Sequence, residues 1–279
     1  MTSREMNCRV FFDTEAWYRS TEKLRRGIKK SISGTRLYKE QDEIALPADK
    51  PYEKTELDVT AERTFQCAMR LAKEHPDKKT GVLNFASARQ PGGGVRSGAG
   101  AQEEALCRCS TLYPALCSED LKEGFYHYHI RDCDNLYSDS CIYTPDVIIC
   151  KSDEPVPQRL PEDRWERVDV ISCAAPNLRA FHTDHPEDGA PSFSREELLR
   201  VHRARAKRIL EVAAANKIDY FVSGAHGCGV FMNDPEIVSQ AWKEAAGEMD
   251  GFFAGIIFAV CVTKRESENY QVFRRVILQ

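Results

Sequence analysis

No stretch of this sequence is apolar for long enough to span a bilayer. The longest run, residues 251–262, falls well short of the roughly 20 residues that a transmembrane helix needs, and it reads as a buried strand. Neither charge dominates: 39 Lys and Arg stand against 43 Asp and Glu, a net charge of -4. That is not the balance of a nucleic-acid binder, although it leaves room for a polyanionic ligand in a local groove. There is no CxxC pair, and the 11 cysteines are odd in number. Cys150, Cys173 and Cys261 lie inside apolar runs, as small buried side chains do. The polar start Met1-Thr2-Ser3-Arg4-Glu5 lacks the apolar core of a signal peptide. The chain is therefore expected inside the cell, cytoplasmic or nuclear and reduced, as a monomer without DNA or membrane contacts.

Two glycine signatures are also missing. No glycine loop ends in the Lys-Ser/Thr of a P-loop, and none has the GxGxxG spacing of a dinucleotide fold. What the sequence has instead is Gly92-Gly93-Gly94, seven residues, then Gln102-Glu103-Glu104. The apolar run 82–86 precedes the glycines, and helical spacing follows the glutamates. Strand, glycine loop and helix make the usual layout of a phosphate-binding turn. The glycines let a backbone approach a phosphate, and the carboxyls can move a proton. An acidic first helical turn is favoured by the helix dipole in any case, so the carboxyls alone would not argue for chemistry.

Along the chain, residues 14–31 read as one basic amphipathic helix, a solvated face rather than a binding patch. Residues 33–54 show no period and read as an extended covering segment. A short strand is expected at 57–60, with Thr60 capping a helix to His75. Strands follow at 82–86, 146–150, 168–173, 218–223 and 252–262. Ser194 and Glu197 form a capping box opening a helix to about Asn216, and Asp234-Pro235 starts another. A short helix over 266–278 closes the chain. Hydrophobic content of 42% and charged content of 29% are those of an ordinary globular protein. With no linker and no repeat, residues 1–279 are expected to form one domain, 1–56 being a helical and extended covering segment. Alternating strands and helices predict an α/β fold with helices on both faces of a largely parallel sheet. Ligands in such folds bind beyond the carboxyl ends of the strands, where both glycine loops, 92–94 and 224–231, would sit side by side.

Val82-Leu83-Asn84-Phe85-Ala86, Pro91-Gly92-Gly93-Gly94 and Gln102-Glu103-Glu104 together resemble the signature of poly(ADP-ribose) glycohydrolases of the microbial type. The second loop, Gly227-Cys228-Gly229-Val230-Phe231 with Asn233-Asp234-Pro235, is similar to that branch's diphosphate loop. The resemblance is dense over 82–110 and 221–235 and faint before Leu57. It implies a macrodomain-like three-layer α/β/α sandwich with a mixed, largely parallel sheet. It implies cleavage of the ribose–ribose O-glycosidic bond of poly(ADP-ribose), or of ADP-ribosylated proteins, releasing ADP-ribose without metal or cofactor. By the same resemblance Glu104 is the catalytic acid/base and Glu103 holds ribose hydroxyls. Asn84 orients the terminal ribose. Gly92, Gly93, Gly94 and Gln102 belong to the binding set, as do Ala225, His226, Gly227, Cys228, Gly229, Val230 and Phe231. Phe231 is the packing wall for the ribose. The accessory helices and tyrosine finger of the animal-type enzymes have no counterpart here, which favours action at chain ends.

The chemistry suits the residues. Glycosidic cleavage passes through an oxocarbenium-like state, and one carboxyl can protonate the leaving hydroxyl and then deprotonate water. Adjacent helical positions point about 100° apart. Glu103 and Glu104 therefore cannot flank one bond as a standard glycosidase pair does, and two different tasks fit better. Other signals are weaker. His182-Thr183-Asp184-His185 reads as exposed loop histidines without a partner cluster. Tyr126-His127-Tyr128-His129 alternates like an edge strand. His226 is open between a ligand-facing and a structural role, and Cys228 has no evident base to activate it. Two rival readings remain: an ADP-ribose reader without turnover, and a hydrolase releasing single ADP-ribose units.

Overall fold

A computed structural model describes residues 2–179, 193–262 and 267–279. Along the chain run α1 (Ser3–Ser20), α2 (Glu22–Gly34), β1 (Arg36–Tyr38), β2 (Glu56–Thr60), α3 (Thr64–Glu74) and β3 (Thr80–Phe85). Next come α4 (Gln102–Cys109), α5 (Leu112–Leu116), α6 (Glu119–Leu121), a π-helical turn Lys122–His127, and α7 (Tyr128–Arg131). The remainder is β4 (Cys141–Ile149), β5 (Glu166–Cys173), α8 (Arg195–Ala215), β6 (Tyr220–Ser223), α9 (Pro235–Glu248), β7 (Gly255–Ala259) and α10 (Ser267–Leu278). His182 to His185 lie outside the described residues.

The strands form one sheet in the order β1-β4-β5-β3-β6-β7-β2. The β1–β4 and β4–β5 pairs are antiparallel and all others parallel. Successive strand residues face opposite sides, and the core divides accordingly. Leu83, Ile171, Phe221, Ile256 and Phe258 pack against α8, α9 and α10. Their neighbours Val82, Val170, Val222 and Ile257 pack with Phe11 of α1, Phe65 of α3 and Leu106 of α4. Both faces are thus covered, which is why apolar residues stand on both faces of the central strands rather than alternating with polar ones. The result is a macrodomain-like α/β/α sandwich.

Some expectations change. The helix read over 14–31 is two helices, interrupted at Thr21, whose backbone is extended at φ -98 and ψ 117. The first helix starts eleven residues earlier than expected, with Thr2 as a capping box. Thr60 ends β2 and does not cap; the cap of α3 is Arg63. Residues 126–129 are helical, not an edge strand. Phe125, Tyr126 and His129 are the buried members, a helical rather than alternating spacing, and His129 hydrogen-bonds Phe125 O at 2.7 Å, four residues back. The strand expected at 146–150 begins at Cys141, its pattern broken by an irregularity between Thr144 and Val147 where Pro145 cannot donate to the ladder. The capping box of Ser194 and Glu197 forms as read. Among the described residues no helix is long and apolar enough to cross a membrane.

Candidate active site

The site starts at the end of β3. Asn84 faces Ser172 across the parallel pair and donates from Nδ2 to Ser172 Oγ at 2.9 Å and to Glu103 Oε1 at 3.3 Å. Gln102, first residue of α4, reaches back to the same strand. Its Nε2 donates to Leu83 O at 2.7 Å and to Thr64 Oγ1 at 3.1 Å, and its Oε1 accepts from Phe85 N at 2.9 Å. These bonds fix the start of α4 to the strand end. The two following carboxyls then point into the glycine loop. Glu103 Oε2 accepts from Ser87 N at 2.8 Å, and Glu104 Oε1 accepts from Gly94 N at 2.9 Å.

Both carboxyls are buried, Glu103 at 3% and Glu104 at 7% relative exposure. Burial, with the Glu104 charge beside it, pushes the Glu103 carboxyl up to about 8, against the opposing Ser87 and Asn84 hydrogen bonds. Glu103 is therefore mostly protonated at neutral pH. Glu104 Oε2 and Asn84 Oδ1 are buried without a hydrogen-bond partner among the described residues. The glycines are needed for two reasons. Gly92 and Gly93 have φ of 66° and 54°. A Cβ on Gly93 would also lie 2.6 Å from Glu104 Oε1 and 3.0 Å from Glu103 Oε2. The Gly93 amide donates to Gln90 O at 3.0 Å, so the amides of Gly93 and Gly94 are both engaged within the protein.

The second loop leaves β6. Gly224 lets it pass Phe85 and β7, since a Cβ there would lie 2.7 Å from Ala259 O. The loop is closed by Asn233, whose Nδ2 donates to Gly227 O at 3.0 Å and to Pro176 O at 2.7 Å. His226 is buried with Nε2 3.0 Å from Cys173 O, and burial pushes it down to about 3, so it stays neutral. Burial raises the Cys228 thiol far above its usual range, which rules out a resting thiolate.

Between this loop and the start of α4 lies a cleft of about 570 Å³. Gln102, Ala225, Gly227, Gly229, Val230 and Phe231 line it. Asn84, Gly92, Gly93, Gly94, Glu103, Glu104, His226 and Cys228 are not among its lining residues, although Gln102 and Ala105, which flank Glu103 and Glu104, are. Residues missed in the sequence also line it, among them Arg63, Phe85 and Asp153. Asp153 is 4% exposed, accepts from Phe65 N at 3.1 Å and pairs with Arg63 at 3.7 Å. Arg63 and Asp153 are far apart in the chain, and no local pattern links them.

The model of the microbial-type PARG catalytic domain matches residues 13–152. A structure of poly(ADP-ribose) glycohydrolase (PARG) from Thermomonospora curvata is 33% identical, with a TM-score of 0.83, covering 98% of this chain and 100% of that one. The same enzyme bound to the inhibitor ADP-HPD is 33% identical at a TM-score of 0.80, with 98% and 99% covered. PARG from Deinococcus radiodurans in complex with ADP-ribose is 34% identical at a TM-score of 0.76, with 90% and 97% covered. No curated protein matches the chain. The chain belongs to the family of microbial-type poly(ADP-ribose) glycohydrolase catalytic domains, and it is a glycosidase.

Proposed function

We propose that this glycosidase releases ADP-ribose from poly(ADP-ribose) mainly at chain ends, with Glu104 as acid/base and Glu103 holding ribose hydroxyls. The observation that carries the division of roles is the unequal bonding of the two carboxyls. Both oxygens of Glu103 are already hydrogen-bonded, whereas Glu104 keeps one buried oxygen without a partner. An unpartnered buried oxygen is costly unless a ligand meets it. The cleft takes the ADP-ribose moiety, in line with the ADP-ribose and ADP-HPD bound by similar enzymes. Gly227 to Phe231 carry the diphosphate and adjoining ribose, and the diphosphate helps stabilise the positive ribose. Asn84, held by Ser172, orients the terminal ribose through Glu103.

Residues 1–279 work as one catalytic unit, because α1 and β1 are built into the layers that hold the site. The compartment is intracellular, in keeping with cysteines from Cys8 to Cys228 that are free thiols. In the test, Glu104→Gln should lower turnover of polymer at least about 1,000-fold with the Kd for ADP-ribose within about threefold, as expected for loss of a proton-transfer group. Glu103→Gln should weaken ADP-ribose binding as well. Equal losses of turnover and binding in both variants would refute the roles. Chromatography of polymer-length products separates action at ends, which yields only ADP-ribose, from internal cutting.

A further inference from the structure

The segment between the glycines and α4 is gripped from outside by the N-terminal helix. Asn7 of α1, 9% exposed, donates from Nδ2 to Gly98 O at 3.1 Å. Gly98 has a φ of 78°, and a Cβ there would collide with the Arg4 carbonyl, so the loop backbone lies directly on the α1 backbone. Cys8 Sγ approaches Arg96 O at 3.4 Å, and Arg96 pairs with Glu15 at 3.2 Å while its guanidinium lies over the rings of Phe11 and Phe12. Arg108 of α4 holds the same loop from inside, donating to Ala99 O at 2.7 Å, and Thr14 Oγ1 of α1 donates to Arg108 O at 2.6 Å. The loop itself is tight: Gly94 O accepts from Ser97 N at 3.0 Å and Ala99 N at 3.1 Å. Gly94 N is the donor that holds Glu104 Oε1.

These contacts form one short chain from Asn7 through Gly98 and Gly94 to Glu104. We infer that Asn7 of α1 is a positioning residue, fixing the Gly94 amide so that the Glu104 carboxyl is held in one orientation. Asn7 lies outside residues 13–152 matched by the family model, whereas Gly98, Gly94 and Glu104 lie within them. The inference rests on Glu104 as the acid/base. It requires that loosening the loop cost more in turnover than in affinity: Asn7, Gly98 and Gly94 do not line the cleft, and of this loop only Gly100 and Ala101, which follow Gly98, contribute to its wall. A carboxyl free to rotate spends less time at the bond being broken, and small displacements of a reacting group cost about 10- to 100-fold in rate.

The experiment uses the full chain and measures ADP-ribose release from polymer, ADP-ribose affinity by calorimetry, and Tm. Asn7→Ala removes the donor, and Asn7→Asp replaces it by an acceptor facing the Gly98 carbonyl at the same size. Asn7→Gln is the conservative variant that keeps an amide donor. Val10→Ala, a buried α1 position without a bond to the loop, is the stability control. Both Asn7→Ala and Asn7→Asp should lower kcat about 10-fold or more with KM and the ADP-ribose Kd within about twofold. Asn7→Gln should recover part of the loss. Val10→Ala should lower Tm without lowering kcat. In the Glu104→Gln background Asn7→Ala should cause no further loss of turnover. Unchanged kcat in both Asn7 variants, while Glu104→Gln alone loses turnover, overturns the inference and leaves the assignment of Glu104 standing. Should Glu104→Gln keep its turnover, the assignment of Glu104 fails and the inference with it. A loss that follows Tm across all variants, Val10→Ala included, reduces α1 to a structural role.

Discussion

Glu103 is a carboxyl that the fold keeps uncharged. Its burial and the neighbouring Glu104 outweigh the hydrogen bonds from Ser87, Asn84 and Gly92, and its pKa moves from 4.5 to about 8. The consequence for stability has a definite sign. Between these two values the folded chain binds a proton that the unfolded chain has released, so stability falls with rising pH. The favourable contribution of Glu103 is complete below about 4.5 and is lost as pH rises through about 8. Glu103→Gln keeps a neutral side chain of the same shape at every pH. The variant should therefore gain on the parent as pH increases, with a Tm difference moving by a few degrees or more in its favour between pH 5 and pH 8, at about 2–4 °C per kcal/mol for a chain of this size. Thermal melts of the two proteins across that range check it; a constant difference would mean that Glu103 is ionised in the folded state at pH 7.

The loop from Ser87 to Ala101 shows why an element can be readable as a motif and not as a shape. The triplet Gly92-Gly93-Gly94 and the acids at 103 and 104 stood out by spacing, yet spacing gave the glycines a phosphate to hold. In the structure a Cβ on Gly93 would first meet the two carboxyls, one on Gly92 the Tyr113 ring and one on Gly94 the Ala99 side chain. Gly93→Ala forces a side chain to adopt φ near 54° and to displace Glu104 Oε1. It should cost about 1 kcal/mol of stability from the backbone. Its main effect should be a fall in kcat of at least about 10-fold through the displaced carboxyl. Kinetics with a parallel melt separate the two, and a variant with normal kcat would show that the carboxyl position is not critical. Helix caps such as Ser194 with Glu197, and the β-branched central strands, were legible because each is a local pattern with a local cause. Residues 126–129 misled because alternating Tyr and His copy a strand period on what is a helical turn. The break at Thr21 and the wall residues Arg63 and Asp153 were hidden, because tertiary contacts decide them: Asp153 meets Phe65 N across 88 positions.

At the scale of the molecule, the N-terminal helix is also anchored to the segment that follows β4. Lys151, 1% exposed just after β4, donates to Val10 O at 3.0 Å and to Asp13 Oδ2 at 2.7 Å. Arg159 embraces the same carboxylate at 2.6 and 3.1 Å and stacks over Trp17 at 4.6 Å. An ammonium this deep needs its counter-charge, since removing one partner of a buried pair leaves the other uncompensated. Asp13→Asn should therefore cost about 2 kcal/mol, less than for a fully buried pair because the Asp13 side chain is 45% exposed. That corresponds to a Tm lower by roughly 4–8 °C at pH 7. The Arg159 hydrogen bonds, aided by Lys151 and opposed by burial, hold the Asp13 carboxyl below 3.8. Its contribution is therefore present above about 3.8 and disappears as pH falls through the lower folded value, the reverse of Glu103. Melts of Asp13→Asn and its parent should thus converge in acid and stay apart at neutral pH. A gap independent of pH would mean that the substitution removes packing rather than charge.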